Sequence, residues 1–160
     1  NIYVAFRTNL AEGSEILHNN MRGRYQAGDP DILKAVERWA ELSEEFREAM
    51  EKTATDYDIC SADVDEQRRR EYGAALHERL SPIINENYDL RHSYLPINPA
   101  NHEMVSAARE VGAGAKFPGS GGAIVGTYAD EEMLESLKER LAKLDIEVLI
   151  PHINGDGFGG

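Results

Sequence analysis

Residues 112–128 constrain the fold more strongly than any other stretch of this chain, and they read G-A-G-A-K-F-P-G-S-G-G-A-I-V-G-T-Y. Two short apolar runs, 113–117 and 123–128, are separated by Pro118 and four small residues. Those four are Gly119, Ser120, Gly121 and Gly122. Proline lacks a backbone N–H and glycine adopts positive φ without steric cost, so the chain must turn here. A link this short favours an antiparallel pair of strands, because a parallel pair needs a long crossover.

This glycine loop, residues 119–122, has two interpretations from its residue types alone. Successive N–H groups in a bare loop can form an anion-binding concavity, which would make it a phosphate-facing loop between two buried strands. A tight β-hairpin would use the same glycines only for the turn. The first apolar run also carries one lysine, Lys116. Both interpretations stay open at this level.

The composition suits one globular domain. With 160 residues, of which 41% are hydrophobic and 29% charged, the chain is long enough for a sizeable core. Its 17 basic and 29 acidic residues give a net charge of −12, which argues against nucleic acid or an anionic membrane as a partner. An anionic ligand would therefore need local positive charge. No apolar run approaches the roughly 20 residues of a membrane span, and the single cysteine, Cys60, fits a reducing cytoplasm.

Apolar periodicity and capping residues predict alternating helices and strands. The predicted strands cover residues 2–8, 113–117, 123–128 and 146–153, and the predicted helices cover 15–27, 30 to about 52, 72–94, 101–111 and a segment from 131. The predicted N-caps are Ser14, Asp29, Asn101 and Asp130, and Gly112 is predicted to end the fourth helix. Residues 53–71 give no clear pattern, and Pro82 is expected to kink or restart the third helix.

This order, β-α-α-α-α-β-β-α-β, predicts an α+β fold with a four-stranded antiparallel sheet and helices packed on one face. The predicted domain covers residues 1–153, and the glycine-rich residues 154–160 are expected to form a mobile tail. The chain opens on a strand-like segment, which is the pattern expected of a fragment or of a cut at a domain boundary.

Two pairs of polar residues could contact a ligand. His18 and Arg22 lie four apart and would share a helix face, where an arginine could bind a carboxylate or phosphate. Asn87 and Arg91 are spaced in the same way on the apolar side of a predicted helix, where polar groups need partners. A solvated helix face explains the first pair equally well, and a hydrogen-bonded core network explains the second.

Several chemistries have no motif in the chain. There is no G-x-x-x-x-G-K-[ST], and the G-x-G-x-x-G match in residues 155–160 precedes no helix that could receive a phosphate. The five histidines include no H-E-x-x-H and no pair four residues apart, so no zinc site is predicted.

The stretch A-K-F-P-G-S-G-G-A-I-V, residues 115–125, resembles the third conserved motif of the GHMP kinases, a superfamily of sugar and mevalonate kinases. Three further stretches resemble the glucuronokinase-like branch of its sugar-1-kinases. They run from Ser14 through His18 and R-G-R-Y to G-D at residue 29, from Asn87 to Arg91 as N-Y-D-L-R, and from Asn101 as N-H-E-M-V to Arg109. In that family all of these stretches belong to the C-terminal half of the enzyme.

The resemblance implies a ferredoxin-like C-terminal domain of an ATP-dependent kinase that phosphorylates a monosaccharide or uronic acid. The implied phosphate-proximal loop consists of Lys116, Gly119, Ser120, Gly121 and Gly122, and the implied substrate contacts are Ser14, His18, Arg22 and Arg91. ATP and Mg²⁺ would be bound mainly by an N-terminal domain or subunit, because the family's P-x-x-x-G-L-G-S-S loop is not among these residues. The chain alone is therefore expected to be inactive. Pro118 stands where family members often have threonine, which removes a hydroxyl and a backbone donor from the loop.

Two rival hypotheses accompany this one. A ferredoxin-like sheet can also serve as a non-catalytic ligand-binding or oligomerisation module, in which the glycine loop would be only a turn. The chain could instead be a natural subunit of a two-chain kinase.

Overall fold

The computed structural model describes residues 1–7, 15–59, 63–119 and 121–151, and for residues 15–20 it describes the backbone alone. The chain order is β1 (Ile2–Phe6), α1 (Glu15–Gln26), α2 (Pro30–Asp56), α3 (Glu66–Tyr94), α4 (Pro99–Glu110), β2 (Ala123–Thr127), α5 (Glu131–Ala142) and β3 (Glu147–Leu149). Among these residues, no helix is both long enough and apolar enough to cross a bilayer. The predicted tail, residues 154–160, lies outside the described part of the chain.

The sheet in the described residues is antiparallel and has three strands, in the order β2-β1-β3. The α+β class is confirmed, whereas the predicted four-stranded sheet is wrong. Residues 113–117 do fold back on β2 as a hairpin, but their pairing is reduced to one bridge between Lys116 and Val125. The last strand is also shorter than the predicted range 146–153, because β3 covers Glu147–Leu149.

A hydrogen bond from a distant residue accounts for the lost strand. The Gly114 N–H donates to the Thr127 carbonyl at 2.9 Å, as a ladder would require. The Gly114 carbonyl, however, accepts from the Tyr3 hydroxyl at 3.0 Å and lies over Gly126. Because this carbonyl is turned toward a side chain, regular pairing does not extend past Lys116.

The main core lies between the sheet and two helices. Tyr3 and Ala5 of β1 alternate with half-buried residues and point toward α4 and α5. The two helices cover them with apolar side chains at helical spacing: Met104, Val105 and Ala108 from α4, and Leu134, Leu137 and Leu141 from α5. This packing places the N-terminus of α4 beside the end of the sheet where β1 finishes and β2 begins.

Most predicted helix ends are confirmed by the capping contacts. The Asp29 and Asp130 side chains accept hydrogen bonds from the first turns of α2 and α5, and Gly112 follows α4 with φ of 89°. Asn101 is not the cap of α4: the cap is Asn98, with Pro99 as the first helical residue. Proline suits that position because its missing N–H would have no helical partner. The predicted cap Ser14 lies outside the described residues.

Helices α2 and α3 form a long antiparallel hairpin beside the sheet. Leu76, Leu80 and Ile84 of α3 pack against α2 around Phe46. Arg38 of α2 joins the two helices through Glu86, at 2.6 Å. Helix α3 continues through Pro82, so of the two expected effects of this proline the restart of the helix does not occur. The α2–α3 pair places Arg91, in the last turn of α3, next to the glycine loop.

Candidate functional site

Three separate elements hold the glycine loop. Arg91, in the last turn of α3, donates to the Gly119 carbonyl at 2.6 Å. The Asn101 side-chain oxygen, on α4, accepts from the Gly122 N–H at 2.8 Å, and the Arg7 N–H, after β1, donates to the Gly122 carbonyl at 2.9 Å. Gly122 has φ of 89°, a conformation that favours glycine. The loop is therefore fixed at both ends by polar contacts that a simple hairpin turn does not need.

Gly121 has no room for a side chain. A Cβ built there would lie closer than 3.0 Å to the Asn101 amide, which is 1% exposed and cannot move into solvent. Gly119, at the other end of the loop, has no atom within 4 Å of a built Cβ. The close approach of Asn101 thus explains glycine at 121, whereas position 119 faces open space.

Arg91 is a half-buried cation without a carboxylate. Its guanidinium lies over the Phe117 ring, 5.3 Å from the ring centroid, and its buried Nε has no hydrogen-bond acceptor. Burial lowers the pKa of this guanidinium from its ordinary value. An arginine held in this way keeps unused donor capacity next to the loop.

Lys116 lies on the hairpin with its backbone paired to Val125. Its side chain lines a groove of about 230 Å³ between α2 and α3, where Ser43 and Asn87 are the other polar residues. Burial lowers the pKa of the Lys116 ammonium, and the neighbouring Arg91 guanidinium lowers it further. Both effects would be relieved by an anion, which would stabilise the charged ammonium.

The glycine loop also differs from the rest of the described chain in how its basic residues are paired with carboxylates. In the described part of the chain, most partly buried cations have a carboxylate partner, as in Arg24–Asp29, Arg79–Asp56, Arg109–Asp89 and Arg140–Glu110. The partly buried cations without one are Arg7, Arg91 and Lys116. All three lie on the β-hairpin of residues 113–127 or contact its glycine loop. Within the described residues, the partly buried cations that lack a carboxylate partner therefore lie together at the glycine loop.

A larger depression, of about 750 Å³, lies at the opposite end of the sheet. Arg69 and Arg70 line it together with Glu66, Glu71, Glu131 and Glu132. Because its acidic residues outnumber its basic ones, it does not suit an anionic ligand. We therefore place the candidate site at the glycine loop.

A group of aromatic and imidazole side chains packs between α3, α4 and the β-hairpin that ends in the glycine loop. The Tyr88 hydroxyl and the His102 Nδ1 are 2.5 Å apart, and the His92 and His102 rings are 4.6 Å apart between centroids. Tyr88 also packs edge-on against Phe117. This packing joins α3, α4 and the hairpin, and so sets the positions of Arg91 and Asn101.

The structure brings several of the predicted site residues together at the glycine loop. Lys116, Arg91, Gly119, Gly121 and Gly122 all lie in or beside the loop. Arg22 is exposed on α1 and makes no ion pair within the described residues. Ser14 and Ser120 lie outside those residues, and only the backbone of His18 is described.

The sequence patterns did not identify Arg7 and Asn101 as part of the site. Asn101 precedes Met104 and Val105 by three and four residues, so it lies on the apolar face of α4. A polar residue on such a face needs a buried partner, and that signal could have found it. Nothing in the sequence pattern points to Arg7, because its role depends on where β1 ends in space.

No group of three or more His, Cys, Asp or Glu side chains that could bind a metal occurs in the described residues. Magnesium prefers oxygen ligands, especially carboxylates and substrate phosphates. The residues at the glycine loop do not supply such a set, because its charged side chains are basic.

Comparison with known proteins places this domain in a family. Residues 73–146, which run from α3 through β2 and α5, match the family model described as GHMP kinases C terminal. The chain therefore carries a GHMP kinase C-terminal domain, as the resemblance of its glycine loop implied.

Two glucuronokinases of Arabidopsis thaliana are similar in sequence. The chain is 32% identical to a probable glucuronokinase 2 over 127 residues, and this match covers 78% of the chain and 28% of that protein. It is 28% identical over 127 residues to glucuronokinase 1, covering 78% of this chain and 29% of that protein. The chain thus spans less than a third of the length of these relatives.

Two solved kinase structures share the fold. The L. major mevalonate kinase, solved with R-mevalonate, superposes with a TM-score of 0.67 over 89% of this chain and 38% of that one, at 19% identity. The phosphomevalonate kinase of Streptococcus pneumoniae gives a TM-score of 0.55 over 93% of this chain and 38% of that one, at 20% identity. At these identities the likeness supports the fold alone.

Proposed function

We propose that this chain forms the C-terminal domain of an ATP-dependent kinase that phosphorylates a monosaccharide, with a uronic acid such as glucuronate as the preferred substrate. The observation that carries the proposal is the set of unpaired basic side chains at the glycine loop, Arg7, Arg91 and Lys116. The similarity to two glucuronokinases supports a uronic acid over a neutral sugar.

Phosphoryl transfer requires hydrogen-bond donors at the positions where negative charge develops. In such a transfer, a sugar hydroxyl oxygen forms a new bond to the γ-phosphorus of ATP and releases its proton, and ADP leaves as the old P–O bond breaks. Phosphoryl transfer depends on positioning and on stabilising charge at the phosphoryl oxygens. Lys116 and the backbone of the glycine loop would provide fixed positive charge and N–H groups for this purpose.

Arg91 is the residue that we assign to a sugar carboxylate. A guanidinium binds a carboxylate through two parallel hydrogen bonds, and the Nε of Arg91 is one buried donor that is still free. The contact with the Gly119 carbonyl holds the side chain in place. Ser14, His18 and Arg22 remain predicted substrate contacts.

The nucleotide would be bound mainly outside this chain. These 160 residues contain no phosphate-binding P-loop, and the described part offers no carboxylate cluster for Mg²⁺. An N-terminal domain or subunit would supply both. We therefore expect the 160-residue chain to have no kinase activity by itself.

The test uses a complete enzyme, with this chain joined to its N-terminal half. We expect Arg91→Met to raise the KM for glucuronate about tenfold, because a charge-assisted hydrogen bond contributes about 1.5–3 kcal/mol. The KM for a neutral sugar should not change. Lys34→Met is the matched control, because Lys34 is exposed on α2 and makes no ion pair with any described residue.

Equal effects of Arg91→Met on glucuronate and a neutral sugar would remove the carboxylate assignment. A complete enzyme that transfers no phosphate to any sugar would contradict the proposed function. It would favour the non-catalytic ligand-binding or oligomerisation module.

A further inference from the structure

Helices α2 and α3 border the groove of about 230 Å³ that Lys116 lines, and none of the described residues of the glycine loop contributes to it. Leu42 and Ile84 of its lining are buried, whereas Phe46 and Ile83 are half-buried and leave apolar surface in the groove. Sites for drug-sized ligands typically measure about 300–1,000 Å³. This groove therefore suits a smaller molecule with an apolar body.

Lys116 adds a positive charge to this apolar surface. Its side chain is half-buried, and its ammonium makes no ion pair or hydrogen bond with any described residue. Acidic residues do occur on the same stretches of the two helices, but Glu45 of α2 and Glu86 of α3 are both bonded to Arg38. A partly desolvated cation is costly without a partner, and an anion entering the groove would supply one.

Asn87 lines the same groove and is the polar residue that the sequence places on the apolar side of α3. Its backbone carbonyl accepts from the Trp39 Nε1 at 3.5 Å, whereas its side-chain amide makes no hydrogen bond with the described residues. Ser43 is the other uncharged polar residue of the lining, and its hydroxyl already donates to the Trp39 carbonyl at 2.8 Å. The described lining thus offers one ammonium and one amide group to a ligand.

We propose that this groove binds a monocarboxylate with a compact aliphatic body. The carboxylate would pair with the Lys116 ammonium and accept a hydrogen bond from the Asn87 amide, and the aliphatic chain would pack against Phe46 and Ile83. A single negative charge matches the single ammonium. A monosaccharide does not suit the groove, because most of its hydroxyl groups would face apolar side chains without partners.

The inference goes beyond the proposed function and does not depend on it. The two meet at Lys116, which lies on the hairpin close enough to Arg91 for the two cations to repel each other. A carboxylate in the groove would neutralise the Lys116 ammonium and so reduce the positive charge beside the glycine loop. Anions in the groove and at the loop should therefore weaken each other's binding.

The experiment titrates the 160-residue chain, carrying ¹³C-labelled isoleucine methyl groups, with sodium hexanoate at constant ionic strength. We expect the methyl resonances of Ile83 and Ile84 to shift. The neutral analogue 1-hexanol should bind at least about tenfold more weakly, because it lacks the charge that pairs with Lys116. Acetate should also bind at least about tenfold more weakly, since each buried methylene group adds about fourfold to the affinity.

Variants of Lys116 locate the charge. Lys116→Met should lower the affinity for hexanoate to that for 1-hexanol, whereas Lys116→Arg keeps the charge and should retain most of the affinity. Lys34→Met, at an exposed position of α2, should bind hexanoate normally. Should Lys116→Met fail to fold, the comparison of hexanoate with 1-hexanol in the wild-type chain decides.

Three outcomes would overturn the proposal. Equal affinities for hexanoate and 1-hexanol would remove the charge pair, and unchanged Ile83 and Ile84 resonances would show that the groove takes no such ligand. If glucuronate shifted the same resonances with the affinity of hexanoate, the groove would be part of the sugar site. Hexanoate binding by a chain whose complete enzyme phosphorylates no sugar would contradict the proposed function alone and leave this inference standing.

Discussion

The hydroxyl of Tyr3 donates to the carbonyl of Gly114 at 3.0 Å, across 111 positions of the sequence. Tyr3 is fully buried in the middle of β1, and Gly114 begins the hairpin that carries Lys116. At this position a side-chain hydrogen bond takes the place of a backbone hydrogen bond between two strands. The phenolic hydroxyl of Tyr3 is therefore one of the contacts that fix the hairpin relative to the core.

Tyr3→Phe should lower the free energy of unfolding by about 1–3 kcal/mol, because it leaves the buried Gly114 carbonyl without a donor. Urea unfolding measures this change. Tyr25→Phe is the control, since Tyr25 is half-exposed on α1 and its hydroxyl makes no hydrogen bond with the residues that the structure describes. Equal stability of wild type and Tyr3→Phe would mean that water replaces the hydroxyl at no cost.

Gly126→Ala should destabilise the chain more than Tyr3→Phe does. A Cβ at position 126 would lie closer than 3.0 Å to the Gly114 carbonyl and to the Tyr3 ring, so the hairpin would have to move off the sheet. Overpacking of this kind typically costs about 1–3 kcal/mol or more. Thermal unfolding checks it. Gly23→Ala, in α1, meets no atom within 4 Å and should be neutral or stabilising.

Gly121→Ala should disturb the loop through Asn101, and a second change should relieve it. Removing the amide in the double variant Gly121→Ala/Asn101→Ala creates room for the new methyl group. We expect the double variant to lose less stability than the sum of the two single variants, with a coupling of about 0.5–3 kcal/mol. Additive losses in a double-mutant cycle would show that the two residues do not press on each other.

The pH dependence of stability should carry a contribution from His77. Burial lowers the pKa of the His77 imidazole below its ordinary value of 6.5, and Nδ1 lies 3.1 Å from the Thr127 hydroxyl. The unfolded chain then binds a proton at a higher pH than the folded chain does. Stability should therefore fall as pH drops below about 6.5, until the folded-state pKa is reached.

The measurement for His77 is the free energy of unfolding at a series of pH values, in wild type and in His77→Gln. The variant should show a smaller loss between neutral pH and the folded-state pKa of His77. Parallel profiles for wild type and His77→Gln would remove His77 as the titrating group.

Local patterns predicted the elements of this fold well, and they failed where distant residues decide. Asp29 and Asp130 cap the helices they were expected to cap, because capping involves only the next three residues. The strand at residues 113–117 was predicted from an apolar run, but the Tyr3 hydroxyl limits its pairing with β2. No local pattern around Gly114 reveals this contact. The helix predicted from Asn101 begins three residues too late, because Asn98 is its cap and Pro99 its first residue.

The candidate site shows the same division. The glycine loop, Lys116 and Arg91 were found from composition, spacing and family resemblance, and the structure places them side by side. Arg7 and Asn101 come from β1 and α4, and only the folding of the sheet end against the helix end brings both to Gly122. Their unused donors depend on burial, which a sequence does not state residue by residue.

The location of the unpaired, partly buried cations at the glycine loop has a consequence for how fast an anion reaches the loop. At distances beyond the Debye length, about 8 Å at physiological ionic strength, an approaching anion experiences the net charge of −12 and is repelled. Only close to the loop do the unpaired cations attract it. Added salt should therefore first accelerate the encounter of this domain with a phosphate or uronate, and weaken the final complex at higher concentration.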